Sequence, residues 1–424
     1  MTALDVLLPR TAAPEGRFDR RLLAPLILGA LLNPVNSSMI AVALVPIGLA
    51  FGAPPAQTAW LVSGLYLATA VGQPVVGRLV DSFGPRRLYL LGTALTGVAG
   101  VLGAFAPNLP TLVIARVVLG FGTCAGFPAA MTMIRREGDR TGDESPAGVL
   151  TVLSVSTQTV AVVGPTLGGL LIDVGGWRTL FAVNVPLSLT CLVLGSLYLP
   201  REQRDGDRAA RAGGAGPALG LLHNAPLVAT YVRTLLSYTV SYAFLYGYTQ
   251  WLEAGRGLSA SVAGLALLPV FGVAIVVTTL TGRRPEVWWK LLVGGAAQLA
   301  GCLALLTLGA STPVGLVLGV GVIFALPQGL TSLANQNALY HQADRARLGA
   351  SAGLLRTFMY LGAIVSSAAT AVFFDHGIDT AGLHRLALFM AGASALVLFV
   401  CLSDPSLRRI GRPAAEPSPE RTAP

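Results

Sequence analysis

Apolar residues dominate twelve successive stretches of the chain, at about 22–48, 57–77, 88–106, 109–134, 147–172, 180–199, 226–250, 260–281, 289–309, 313–335, 348–374 and 383–402. Each is near the ~20 residues that an α-helix needs to cross ~30 Å of hydrocarbon. Backbone N–H and C=O groups inside lipid must pair within their own segment, so the runs predict helices. The pattern therefore predicts an all-α integral membrane protein with twelve transmembrane helices.

Charge orients them. Of the 29 Lys and Arg residues, 23 fall in the tails and in or at the edges of alternate gaps between stretches. The other gaps and their edges hold only Arg178, Arg256 and Arg385, while Arg116, Arg233 and Arg356 lie deeper within stretches. This asymmetry predicts that both termini are cytoplasmic. Lys290 is the only lysine, a bias that suggests a GC-rich bacterial genome and hence a bacterial plasma membrane. Mean hydropathy is +0.67, and only 12% of residues are charged, which a soluble chain of this length rarely tolerates. A net charge of +9 would point to nucleic acid in a soluble protein. Here the basic residues flank helix ends, so they read as orientation signals and contacts to anionic headgroups. The first stretch carries Asn33, Pro34 and Asn36 and lacks a small-residue cleavage site, so it does not read as a cleavable leader. Cys124, Cys191, Cys302 and Cys401 have no disulfide or metal spacing, and no cofactor is called for.

The longest internal connection, 200–225, mixes charge, Gly and Ala without an apolar face and reads as a flexible cytoplasmic linker. It divides the chain into an N-tail (1–21), a six-helix bundle (22–199), a second six-helix bundle (226–402) and a disordered Pro-, Glu- and Arg-rich tail (403–424). The halves share faint features about 200 residues apart. Gly77-Arg78 ends the second stretch and Gly282-Arg283 the eighth; Asp173 and Asp375 each precede a glycine by two residues at the ends of the fifth and eleventh. These features predict two parallel, pseudo-symmetric repeats with a substrate site between them near the midplane.

The loop after the second stretch reads Gly77-Arg-Leu-Val-Asp81-Ser-Phe-Gly84-Pro-Arg86-Arg87. Its glycines permit a tight turn, Asp81 suits the positive end of a neighbouring helix, and Arg86 and Arg87 suit the headgroups. In form this resembles the signature of the major facilitator superfamily. The resemblance implies that fold, and implies that Asp81 latches the halves in the outward-open state by docking near the start of helix 11. Three further stretches are similar to the drug:proton antiporter branch. Helix 2 opens Trp60-Leu-Val-Ser-Gly-Leu-Tyr66. Helix 4 reads Leu112-Val-Ile-Ala-Arg116-Val-Val-Leu-Gly120-Phe-Gly122, with Leu119 where the family usually has Gln. Helix 5 holds Gly164-Pro165-Thr-Leu-Gly168-Gly169, with Thr151 and Val160 in place of two upstream glycines, and is followed by Gly-Trp-Arg-Thr-Leu-Phe-Ala-Val-Asn-Val-Pro over 176–186.

Gly164-Pro165 removes a helix hydrogen bond, and Gly168 and Gly169 allow a close helix approach, with or without any role in antiport. A guanidinium at mid-helix is expensive in lipid, so Arg116 is expected to face a cavity, or else a structural partner. Arg356 is similar but nearer the inner face. Arg233, two turns into helix 7, reads equally well as snorkelling to the headgroups. Polar side chains at i, i+3, i+4 spacings mark single helix faces, with Asn33, Asn36 and Ser37 on helix 1 and Ser154, Thr157 and Gln158 on helix 5. Helix 7 carries Tyr238, Ser241, Tyr242 and Tyr246, and helix 10 carries Gln328, Thr331, Ser332 and Asn335. The resemblance implies that helices 1, 4, 7 and 10 line a central cavity. Asn33, Asn36, Arg116, Gln158, Tyr242, Gln328, Ser332, Asn335 and Arg356 are its candidate lining, with interhelical hydrogen bonding the alternative for each. Tyr248, Gln250 and Trp251 read as an interfacial belt rather than a binding platform.

No carboxylate lies deep in any stretch, and Asn36 stands where many such antiporters carry an acid. Asn takes up no proton near neutral pH. The deep charges are arginines, which suits anionic or neutral amphiphiles, and protons are only a candidate coupling ion, through Asp81, Asp173 or Glu253. The sequence thus predicts a secondary exporter of small molecules, with a monomer sufficient. Uptake or uniport of a small metabolite, or a transporter-like sensor, are the rival readings. An intramembrane enzyme is excluded by the lack of buried acids or histidines, and ATP-driven transport by the lack of a G-x-x-x-x-G-K-[ST] loop.

Overall fold

The computed structural model of the protein describes residues 19–141, 147–200, 224–282, 286–343 and 348–410; within these, the side chains of Arg20, Asp81, Ser82, Arg135, Asp139, Thr141, 348–350 and most of 147–162, Gln158 included, lie outside the description. All described elements are helices. In chain order they are α1 (Leu23–Met39, carried on by a tight turn at Ile40–Val42 and a helical piece at Leu44–Phe51), α2 (Trp60–Phe83), α3 (Pro85–Ala104), α4 (Leu109–Thr123, continued as Gly126–Thr141), α5 (Ala147–Gly175) and α6 (Asn184–Tyr198). Then come α7 (Ala225–Ala243, continued by π-helical turns at Phe244–Tyr248 and Trp251–Gly255), α8 (Ala260–Gly282), α9 (Trp288–Leu305), α10 (Ala325–Gln342, preceded by Val314–Ile323), α11 (Leu348–Phe373) and α12 (Thr380–Ser403). Ten of these are long and apolar enough to cross a membrane. The remaining two of the twelve are α5, whose described apolar part is Val163–Gly175, and α7.

The helix ends follow from local chemistry. Asn108 caps α4 by accepting from the Thr111 N–H at 2.9 Å, and Asp379 caps α12 by accepting from the Gly382 N–H at 2.7 Å. Gly84 turns the chain between α2 and α3 at φ +89°, which only glycine adopts freely, and Pro85 then starts α3 where no N–H is needed.

Packing repeats with an offset of six helices. In the first half α1 packs on α5, α2 and α3 on α4, and α3 on α6; in the second, α7 packs on α11, α8 and α9 on α10, and α9 on α12. The halves meet through α5 against α8 and α2 against α11, which are symmetry mates of each other. Asp19, Glu137, Asn224, Gln342 and Asp404 gather at one end of the bundle, here called the terminal face. There Glu137 accepts from Arg140 Nε at 2.9 Å, which holds its carboxyl below the usual range.

Two sequence expectations change here. The first residues past α12 are ordered, because Pro405–Arg408 forms a 3-10 turn and Leu407 is buried in a cluster with Val287, Leu291 and Ala338; 411–424 lie outside the described residues. Arg233 does not snorkel. It is fully buried and paired with Asp404 at 3.0 Å.

Candidate functional site

Among the described residues, the two halves touch closely on the face opposite the terminal one, and the helix-5 motif builds this contact. A Cβ on Gly164 would strike Ser38, and one on Gly168 would lie 2.9 Å from the Met39 carbonyl oxygen, so both glycines seat α5 on α1. Gly169 faces the other half, where a Cβ would come 2.5 Å from the backbone of Ala260 and Ser261. Gly264 of α8 returns the contact against Pro165. The Thr166 hydroxyl donates to the Gly264 carbonyl at 3.0 Å, so two backbones touch across the seam. Further round, Ser367 of α11 donates to the Ala59 carbonyl at 2.8 Å, and Thr249 of α7 to the Ala41 carbonyl at 3.2 Å.

Below this closure lies a cluster of tyrosines. The hydroxyls of Tyr66 on α2 and Tyr246 on α7 are 3.2 Å apart, one from each half. Tyr242 stacks on Tyr246 at 5.7 Å and lies 5.2 Å from Tyr66, while Tyr360 of α11 stacks on the other side of Tyr66 at 5.6 Å. Gln73 donates to Tyr360 at 3.4 Å, and the Arg356 guanidinium lies 4.1 Å over the Phe127 ring, again across the halves. The spaces left are small. A cavity between Thr58, Val62, Tyr246, Gln250 and Ser367 has about 10 Å³, room for roughly one water molecule.

Arg116 lies beside this cluster. Its Nε donates to the Leu61 carbonyl at 2.9 Å and Nη1 to the Asn36 carbonyl at 3.2 Å; Nη2 is buried without an acceptor. Asn36 itself turns to α6, where its amide and that of Asn184 exchange hydrogen bonds at 2.6 and 2.9 Å. A second cavity of about 10 Å³ opens between Asn36, Met39, Arg116 and Phe181.

The candidate residues therefore divide. Tyr242, Arg116 and Arg356 stand at the seam, and Ser332 joins them through a 3.2 Å contact to the Tyr238 hydroxyl. Asn33 donates to Thr123 at 3.0 Å and Asn36 pairs with Asn184, both inside the first half. Asn335 accepts from Arg233 Nε at 3.4 Å inside the second. Gln328 is half-buried on α10. The side chains of Gln158 and Asp81 lie outside the described residues, so the latch is untouched by the geometry; of its companions, Arg86 donates to the Ser196 carbonyl at 3.0 Å, Arg87 is exposed, and Gly77 has open space around it.

Tyr248, Gln250 and Trp251 are not a belt. All three are buried, with Tyr248 donating to the Val317 carbonyl at 2.7 Å and Trp251 Nε1 to Thr380 at 3.3 Å. The π-helical turns of α7 each add a residue to the repeat, which swings these side chains inward. Tyr360, Asn184 and Asp404 are among the participants the sequence did not single out for a role. An amide at 184 within an apolar run was a readable signal for one of them.

Comparison with known proteins agrees with this geometry. The family model for the Major Facilitator Superfamily matches residues 26–367. The chain is 30% identical to an uncharacterized MFS-type transporter, YwoD, of Bacillus subtilis over 88% of its own length and 94% of that protein's. It is 26% identical to the multidrug efflux pump LfrA of Mycolicibacterium smegmatis, over 83% of this chain and 80% of that one. A bacterial homologue of the human lysosomal transporter Spinster, solved inward-facing and unoccupied, superposes with a TM-score of 0.71 at 16% identity, covering 93% of this chain and 98% of that one. On the match over most of its length, with the twofold helix plan beneath it, the chain belongs to the Major Facilitator Superfamily and is a multi-pass membrane transporter.

Proposed function

We propose that the protein exports small amphiphilic molecules by alternating access, as a secondary transporter in a bacterial plasma membrane with both chain ends in the cytoplasm. The observation that carries this reading is how closely the described part of the seam packs on one face. Backbone-to-backbone packing at Gly169 and Gly264, and the Ser367–Ala59 and Thr249–Ala41 hydrogen bonds, all close the face away from the chain ends. Under the proposed orientation the molecule stands shut to the outside, and rocking about the tyrosine cluster would open it. The names of relatives such as LfrA support the outward direction. Asp81 is the latch that holds the opposite state.

The test is transport by the purified protein in proteoliposomes preloaded with amphiphilic dyes, with and without a pH gradient. Dye movement that depends on the protein supports the reading, and acceleration by the gradient adds proton coupling. Proteoliposomes that move no dye under either condition overturn it.

A further inference from the structure

Arg116 carries a positive charge at the seam with nothing negative beside it among the described residues. Its guanidinium has donors for five hydrogen bonds. Two are used on neutral carbonyl oxygens, of Leu61 and Asn36, and Nη2 is buried with no acceptor. No carboxylate pairs with it among the described residues. The side chain of Asn36, whose carbonyl Arg116 holds, is committed elsewhere, donating to Asn184 and to the Leu32 carbonyl at 2.8 Å. A buried cation with an idle donor and no counter-charge is an incomplete site.

The surroundings say what completes it. Tyr246 of the other half donates to the Ser37 carbonyl at 3.5 Å, next in sequence to Asn36, and meets the Tyr66 hydroxyl at 3.2 Å. Two phenol hydroxyls, which can donate, therefore converge near a guanidinium where the halves part. The cavity beside Arg116, lined by Asn36, Met39 and Phe181 of the first half, holds about 10 Å³, room for no more than a water-sized group, so a larger ligand needs the halves to part. A planar guanidinium fork matches a carboxylate in shape and charge.

Resting on the export reading above, we infer that Arg116, assisted by the Tyr66 and Tyr246 hydroxyls, binds the carboxylate of its substrates, which are therefore monoanionic amphiphiles. The ligand supplies the counter-charge that α1 lacks. Arg356, also on the seam, adds to the positive potential along the route.

Three probes sharing one ring system test this, namely dansylglycine (carboxylate), dansylglycinamide (neutral) and dansylcadaverine (cation). Binding to purified protein and export from proteoliposomes are both measured. Wild type is expected to bind and export dansylglycine at least tenfold better than the other two. Arg116→Gln is expected to lose at least tenfold in dansylglycine binding alone, and Arg116→Lys to retain part of it. Asn36→Asp, which puts a negative charge on the residue whose carbonyl Arg116 holds, is expected to weaken dansylglycine tenfold without weakening dansylcadaverine, and it decides the matter if Arg116→Gln does not fold. Equal binding of all three probes, or dansylglycine binding unchanged in Arg116→Gln or Asn36→Asp, overturns the inference. So does displacement of dansylglycine by millimolar chloride, which assigns the site to an inorganic anion. Arg116-dependent binding without export of any probe would sink the export reading alone; export of the cation without such binding would sink the carboxylate site alone.

Discussion

Arg233 and Asp404, 171 residues apart in the chain, meet as a buried ion pair with Nη1 3.0 Å from Oδ2. Thr230 accepts a second hydrogen bond from Arg233 at 2.6 Å, and Gln342 donates to Ser406 at 2.9 Å, so the start of α7, the end of α10 and the turn after α12 are tied together. Removing one partner strands the other charge away from water, which costs about 3–5 kcal/mol. Asp404→Asn is expected to lower the thermal midpoint in detergent markedly, and Arg233→Met with Asp404→Leu to recover most of the loss. A double variant no more stable than Asp404→Asn would contradict the pairing.

The Asn36–Asn184 amide pair clasps α1 to α6 inside the first half. Interhelical hydrogen bonds of this kind contribute about 0.6–2 kcal/mol. Asn36→Ala and Asn184→Ala are each expected to destabilise by that order. Because they remove the same bonds, the double variant is expected to be clearly less destabilised than the sum. Strict additivity in a double-mutant cycle would refute the clasp.

Gly169 sits where a side chain would press on the Ala260 and Ser261 backbone of the other half. Gly169→Val is expected to fold, since the clash is between halves, but to resist closure on the face away from the chain ends. Overpacking of about 1–3 kcal/mol shifts a two-state balance roughly tenfold or more. Labelling of a cysteine at Ser367 by an impermeant maleimide is expected to speed up accordingly, with transport slowed. Unchanged labelling would mean that this contact does not gate the seam.

Glu253 lies just past the membrane-spanning part of α7, 7% exposed, and its Oε1 has no hydrogen-bond partner. The nearby Arg256 is turned away, donating to the Thr312 carbonyl at 2.7 Å. Burial pushes the Glu253 carboxyl well above the usual range, so the folded protein holds a proton that the unfolded chain releases. The stability this proton contributes is full below about pH 4.3 and is lost as pH rises through the raised value. The thermal midpoint is expected to fall as pH rises above about 4.3, the ordinary carboxylate value, and Glu253→Gln to flatten that slope. The same slope in the variant would assign it to another group.

Much of the fold was legible because lipid imposes a long apolar run on each crossing, and the charge bias and the Gly77–Arg87 loop are local features. The site was legible only where a residue's own chemistry is conspicuous. Arg116 stood out as a charge in an apolar run, but its acceptors are the carbonyls of Leu61 and Asn36, which any residue supplies. Asn36 was readable as polar and not as the partner of Asn184, 148 residues on. Tyr248 and Trp251 were misplaced because composition does not distinguish an aromatic at the lipid surface from one swung inward by a π-helical turn. Asp404 was assigned to a loose tail because its neighbours in sequence are polar, whereas Arg233 is its neighbour in space.

The most direct test of alternating access is a disulfide between cysteines introduced at Ala59 and Ser367, where α11 now bonds across to the chain entering α2 at 2.8 Å, in a background lacking the four native cysteines. The cross-linked protein is expected to bind substrate from the terminal face yet to stop transporting it, with activity restored by reductant. Transport at the uncross-linked rate, with the disulfide fully formed, would contradict the account.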